Sequence, residues 1–207
     1  MTEGETRRVV LLHGLWLPRA SMRWVAGKLR EAGFQPTIFG YPTVTGGPEA
    51  AEPALSRLLR REPCHVVAHS LGGLIAVHTL QQHPELPVQR VVCLGTPLCG
   101  SSAAEGLSRM PLAAAALGRS TGLLRQGCGA WRGQAALGMV AGRSPMGLGQ
   151  LFGRFDGEHD GTVAVAETRV DGLTDHVVVP ASHSGLLFSA PAVRQAVAFL
   201  QQGRFER

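Results

Sequence analysis

A serine at position 70 lies between two segments of different pattern. Residues 65–68 form an apolar run that predicts a buried strand, and residues 71–81 carry apolar side chains at helical spacing. Ala68, Gly72 and Gly73 are small, so the strand and the helix can approach each other closely around Ser70. A serine held at such a sharp turn presents its hydroxyl at the carboxyl end of the strand, where it can act as a nucleophile.

A serine hydroxyl is a poor nucleophile at neutral pH, so it needs a base within hydrogen-bond reach. The chain has eight histidines, and His183 follows the last apolar strand (177–179), ahead of a final helix at 192–202. Reacting groups gather beyond the carboxyl ends of parallel strands, so we expect His183 to be the base. His69 adjoins Ser70, and we expect its side chain to point elsewhere.

A carboxylate that orients the base must come from the last quarter of the chain if it is an aspartate. Its four aspartates are Asp156, Asp160, Asp171 and Asp175. Asp171 and Asp175 lie in the turn that enters the last strand, at its wrong end. Asp156 and Asp160 both follow the fifth predicted strand. Asp160 begins the tight turn Asp-Gly-Thr-Val, which should hold its carboxylate in place, so we expect it to be the acid, with Asp156 as the alternative.

Backbone amides are the expected donors to the oxyanion that forms when a serine attacks a carbonyl group. The Leu71 amide follows the nucleophile at the start of a helix, where the helix dipole also favours negative charge. The second donor is expected in the turn His13-Gly14 after the first strand, most simply the amide of Leu15.

Strands alternating with helices must position these groups. Apolar runs predict strands at 8–12, 36–39, 65–68, 91–94, 137–141 and 177–179, and helical spacing predicts helices at 20–31, 49–61, 71–81 and 192–202. This alternation favours an α/β architecture with about six strands in a mostly parallel sheet and helices on both faces.

The segment 102–133 is rich in Ala, Gly, Leu and Arg, which predicts one or two helices over the site as a cap or lid. Apolar side chains near it are candidates to line an acyl pocket, or they simply complete the core; they are Trp16, Leu17, Leu98, Met110, Leu112, Leu123 and Leu124.

Composition limits the other possibilities. At 207 residues and 44% hydrophobic content, a single domain over 1–207 is expected. The net charge of +5 is scattered along the chain, which predicts a solvated basic surface, slightly favours peripheral contact with anionic lipid and argues against nucleic-acid binding. No leader peptide, membrane span, cofactor, metal site or obligate protein partner is indicated.

The four cysteines lack the spacing of metal ligands. Cys64 and Cys93 lie at or within predicted strands, where free buried thiols are usual, so a reduced, cytoplasmic protein is expected. A disulfide between Cys99 and Cys128 is left open.

Together these motifs resemble the small bacterial α/β-hydrolases of the lipase/esterase branch, near the triacylglycerol lipases and the GPI-inositol deacylase-like hydrolases. They occur in that family's order: His13-Gly14-Leu15-Trp16, Ala68-His69-Ser70-Leu71-Gly72-Gly73, Leu94-Gly95-Thr96-Pro97 followed by Gly100-Ser101, Asp160-Gly161-Thr162-Val163, and Ser182-His183-Ser184. Ala68 departs from the family's usual first glycine, and about six strands replace eight.

The resemblance implies a serine hydrolase of carboxylic esters with Ser70 as nucleophile, Asp160 as acid, His183 as base and the amides of Leu15 and Leu71 as oxyanion donors. The expected substrate is a small ester with an acyl or lipid-like chain. An acyltransferase or thioesterase would use the same residues, and a non-catalytic binding module is the alternative of another class.

Overall fold

The parallel sheet of six strands dominates the computed structural model, which describes residues 6–109, 115–146, 155 and 157–207. Its strands, in chain order, are β1 Arg8–Leu12, β2 Gln35–Phe39, β3 Cys64–His69, β4 Val88–Leu94, β5 Ala136–Gly142 and β6 Asp175–Val179. The spatial order is β2-β1-β3-β4-β5-β6, and every neighbouring pair is parallel. The predicted six strands and α/β class are confirmed, and no antiparallel pair occurs among the named strands.

Helices cover both faces of this sheet. They are α1 Arg23–Glu31, α2 Gly47–Leu59, α3 Leu71–Gln82, α4 Ser102–Ser108, α5 Thr121–Gln126 and α6 Ala190–Gln202. Side chains alternate along each strand, so β1 sends Val10 and Leu12 into one core with α2 and α3. It sends Val9 and Leu11 into a second core with α1 and α6. Both cores are apolar because a parallel sheet is buried on both faces.

The strand order creates a crevice at one point of the sheet. The chain moves outward from β1 to β2 and then returns to the other side of β1 to form β3. The loops that follow β1 and β3 therefore diverge at the carboxyl edge, and ligands of open α/β sheets bind at such a switch point. Ser70 directly follows β3, and the His13-Gly14 turn directly follows β1.

The helix predicted at 20–31 divides into a 3₁₀ turn, Arg19–Met22, and α1. Tightening of this kind is common at helix amino termini. The predicted cap segment contains α4, a 3₁₀ turn at Gly118–Ser120 and α5 among the described residues. Met110 and Leu112 lie outside them. No helix in the described ranges is both long and apolar enough to cross a membrane.

Candidate active site

The turn from β3 into α3 holds Ser70 in a backbone conformation that residues other than glycine rarely adopt. Its φ is +53° and its ψ is −123°, and only one other non-glycine residue in the described part of the chain has a positive φ. Hydrogen bonds fix both peptide groups of Ser70. Its amide donates to the Leu94 carbonyl at 3.0 Å, and its carbonyl accepts from the Thr96 hydroxyl at 3.1 Å. The neighbouring strand β4 and its loop thus stabilise the strained turn at Ser70.

The small residues after Ser70 make room for the neighbouring strands rather than for β3 itself. A Cβ atom at Gly72 would lie 2.6 Å from the His13 carbonyl oxygen, and one at Gly73 would overlap the Thr96 side chain. Both glycines therefore allow α3 to approach the ends of β1 and β4 closely.

Ser70, His183 and Asp160 form one chain of hydrogen bonds. The Ser70 Oγ atom lies 3.0 Å from His183 Nε2, and His183 Nδ1 lies 2.7 Å from Asp160 Oδ2. Ser70 and His183 are each 8% exposed and Asp160 is 1% exposed, so little water screens these contacts. The structure brings together the three side chains that the sequence indicated, with the imidazole between the hydroxyl and the carboxylate.

The loop after β5 holds the carboxylate rigidly. The second oxygen of Asp160, Oδ1, accepts the amides of Thr162 at 3.0 Å and Val163 at 2.7 Å. The Asp160 carbonyl accepts the His183 amide at 2.9 Å, so Asp160 and His183 are linked through the main chain as well. Asp156, the alternative acid, lies outside the described residues.

The loop after β1 runs beside Ser70. A Cβ atom at Gly14 would lie 2.7 Å from His69 Nδ1 and 3.2 Å from Ser70 Cβ, so any other residue here would force its neighbours to shift. His13 braces the turn: its ring stacks on Tyr41 with centroids 4.5 Å apart, and the Tyr41 hydroxyl donates to the His13 carbonyl. Burial lowers the pKa of His13, which favours the neutral ring. Leu15 follows this braced turn, and Leu71 begins α3, whose first amides have no partner within the helix.

A cavity of about 520 Å³ opens at Ser70 and His183. Its walls are mainly aliphatic; they include Leu15, Leu17, Leu107, Leu117, Leu124 and Val163. Among the described residues that line it, none is Arg, Lys, Asp or Glu. Such a cavity suits an uncharged, apolar group, because an ion would lose its hydration there without a partner.

The predicted pocket residues divide into three groups. Trp16 and Leu17 line the cavity, and the Trp16 Nε1 atom donates to the Ala116 carbonyl at 2.7 Å. The expectation for Leu98 is wrong: its side chain is fully buried in the core beside α3. The Leu98 amide donates to the Thr96 carbonyl at 3.0 Å in a tight turn after β4, and in this turn the Leu98 side chain lies in the core and not on the cavity wall. Met110 lies outside the described residues.

His69 corrects a second expectation. Its side chain does not point away from the site; it lines the cavity, and its ring centroid is 4.8 Å from that of His183. Strand alternation is the signal that could have located it, because residue 69 shares its face of the sheet with Val67, in the core of α1 and α6.

All four cysteines are free thiols, so Cys99 and Cys128 do not form a disulfide in this structure. Burial raises the pKa of the Cys93 and Cys128 thiols to about 12. These thiols are therefore protonated at neutral pH and unreactive.

Comparisons with solved structures identify the fold. The mature form of the lipase BlEst2 from Bacillus licheniformis superposes with a TM-score of 0.76 at 19% identity, over 97% of this chain and 93% of that one. In the propeptide form of BlEst2 the match has a TM-score of 0.77 at 18% identity and covers 95% of this chain, which spans about half (51%) of that longer one. The pyrethroid hydrolase PytH gives a TM-score of 0.66 at 13% identity, over 96% and 98% of the two chains. No protein-family model and no curated protein sequence matches the chain. At these identities the likeness extends to the architecture alone, and the chain has the α/β-hydrolase fold.

Proposed function

We propose that the chain is a serine hydrolase that cleaves carboxylic esters with an apolar acyl group. The observation that carries this proposal is the hydrogen-bonded series Ser70–His183–Asp160 at the opening of a cavity whose described lining residues include no Arg, Lys, Asp or Glu. A hydroxyl, an imidazole and a carboxylate joined by hydrogen bonds support this proposal, because such catalysis uses these groups, and so does their order along the chain, which matches that of hydrolases with this fold.

In the proposed reaction the Ser70 Oγ atom attacks the ester carbonyl while His183 Nε2 takes the hydroxyl proton. Asp160 keeps the imidazole oriented and stabilises its positive charge, without taking the proton itself. The amides of Leu15 and Leu71 stabilise the oxyanion; removing one such donor typically costs about 10²–10³ in rate. His183 then protonates the leaving alcohol, and water attacks the acyl-enzyme by the same steps to release the acid.

The acyl group is proposed to occupy the cavity beneath α4 and α5, with the 102–133 segment acting as a cap. Trp16 is 54% exposed and Met146 is 68% exposed, and both line the cavity. Exposed apolar side chains at a cavity support a lipid-like substrate and contact with a lipid surface. We also propose, from the sequence motifs alone, that the chain is close to the GPI-inositol deacylase-like hydrolases.

Hydrolysis of p-nitrophenyl esters tests the proposal, with acyl chains from acetyl to palmitoyl and the Ser70→Ala and His183→Ala variants as controls. Turnover that disappears in both variants is expected. The uncharged wall also predicts that the hemisuccinate ester, which carries a carboxylate, reacts at least about tenfold more slowly in kcat/KM than the butyrate ester. Equal rates for these two esters, or turnover that persists without Ser70, would contradict the proposal.

A further inference from the structure

His69 is the last residue of β3 and is only 1% exposed. Its Nε2 atom lies 3.0 Å from the main-chain carbonyl oxygen of His183. A carbonyl oxygen only accepts hydrogen bonds, so Nε2 must carry the proton and donate it. The Nδ1 atom of the neutral ring is then an acceptor.

This Nδ1 atom is buried and has no hydrogen-bond partner. It faces the Gly14 backbone, because a Cβ atom at Gly14 would lie only 2.7 Å from it. A buried acceptor without a partner destabilises the folded state, so its presence calls for an explanation. Nδ1 lacks a partner because the ring is oriented so that Nε2–H donates to the His183 carbonyl.

The neutral state of His69 suits the neighbour that it contacts. Burial and the proximity of His183 lower the pKa of His69 to about 3. During the proposed reaction His183 becomes positively charged, and a second charged imidazole at 4.8 Å would oppose that step. A neutral donor can hold the His183 main chain without repelling the charge that forms on its ring.

Both peptide groups of His183 are tied to the site. Its amide donates to the Asp160 carbonyl at 2.9 Å, and its carbonyl accepts from His69. The loop after β6 is therefore fixed on one side by the Asp160 main chain and on the other by His69, the last residue of β3. Together these bonds determine where the imidazole ring stands between the hydroxyl and the carboxylate.

We propose that His69 is a positioning residue for the base: its Nε2–H group holds the His183 main chain so that the imidazole stays aligned with Ser70 and Asp160. This inference rests on the proposed function. It assigns to the histidine before the nucleophile a role that acts through the main chain of His183.

The test compares His69→Leu, which removes the donor, with His69→Gln, whose amide nitrogen can replace Nε2. His65 supplies the matched control, since it lies on the same strand, is 1% exposed and also has a buried, unpartnered Nδ1 atom. In His69→Leu we expect kcat to fall by about 10- to 100-fold with KM within about twofold, since misplacing a catalytic group by about 1 Å can cost about 100-fold. His69→Gln should recover most of kcat, and His65→Leu should retain it.

Full kcat in folded His69→Leu overturns the proposal, and so does a rise in KM alone, which would make His69 only part of the pocket wall. Nitrogen NMR of ring-labelled histidine in the wild-type protein gives a readout that needs no ester turnover and no variant. A proton on Nε2 of His69 is expected, and a proton on Nδ1 contradicts the inference. Failure of the wild-type protein to hydrolyse any ester, with the proton on Nε2, would instead count against the proposed function.

Discussion

Gly95 offers a sharp test of the His183–Asp160 geometry, because it lies directly against that pair at the end of β4. Its φ is +58°, and an added Cβ atom would lie 2.8 Å from Leu186 Cδ1, 3.1 Å from Asp160 Oδ2 and 3.2 Å from His183 Nδ1. In Gly95→Ala the leucine can rotate, but the two polar atoms must each move by a few tenths of an ångström. We expect kcat to fall by about tenfold, since a shift of about 1 Å can cost about 100-fold.

The backbone strain of this substitution must be separated from the contact. Alanine in a left-handed conformation destabilises a protein by about 1–2 kcal/mol. Gly129 has a φ of +64° with nothing within 4 Å of the added Cβ atom, so Gly129→Ala also places an alanine at positive φ but without the contact. Urea unfolding should show a stability loss in both variants, larger in Gly95→Ala because of the added contacts, and steady-state ester hydrolysis should show a kcat loss only in Gly95→Ala. An unchanged kcat in Gly95→Ala, or an equal kcat loss in Gly95→Ala and Gly129→Ala, would refute the reasoning.

Two further predictions concern stability. Burial lowers the pKa of His65 to about 4, so between about pH 6.5 and 4 the unfolded chain binds more protons than the folded one, and stability falls as pH falls. Urea unfolding should show a stability loss from pH 7 to about pH 5 that is about 2 kcal/mol smaller in His65→Gln than in wild type; identical losses would contradict this. Glu167 accepts the Ser102 amide at 2.7 Å through one oxygen and the Ala164 amide at 2.8 Å through the other, so it links α4 to the acid's loop. Glu167→Gln can accept only one of these bonds and should lose about 1–3 kcal/mol of unfolding free energy, whereas Glu105→Gln, an exposed carboxylate, should lose less than about 1 kcal/mol; equal losses would count against the link.

The sequence alone was informative where a local pattern determines the geometry. Apolar runs separated by segments of helical spacing indicated all six strands. A strand of a parallel sheet is buried on both faces, so its sequence must be largely apolar. Small residues around one serine located the turn at Ser70, and the order of motifs indicated His183. The structure brings these groups within hydrogen-bond distance, and their catalytic roles remain predictions.

Features that depend on how distant loops pack could not be read from the sequence. Leu98 was a candidate for the pocket wall or for the core, and only the folded turn after β4 shows that it lies in the core. The hydrogen bond from His69 to the His183 carbonyl joins residues 114 positions apart. Strand alternation indicates the face of the sheet on which His69 lies, but it does not indicate which residue His69 contacts there. The sequence also left Asp156 open as an alternative to Asp160. The amides that hold the Asp160 carboxylate can be identified only once its turn has folded.

Covalent labelling with a fluorophosphonate tests the central claim most directly, because the reagent reacts with an activated serine whatever the natural substrate is. Peptide mass spectrometry of the labelled protein should locate one adduct, on Ser70. Labelling should be abolished in Ser70→Ala and strongly slowed in His183→Ala. A folded wild-type protein that takes up no label, or takes it up at another residue, would contradict the account.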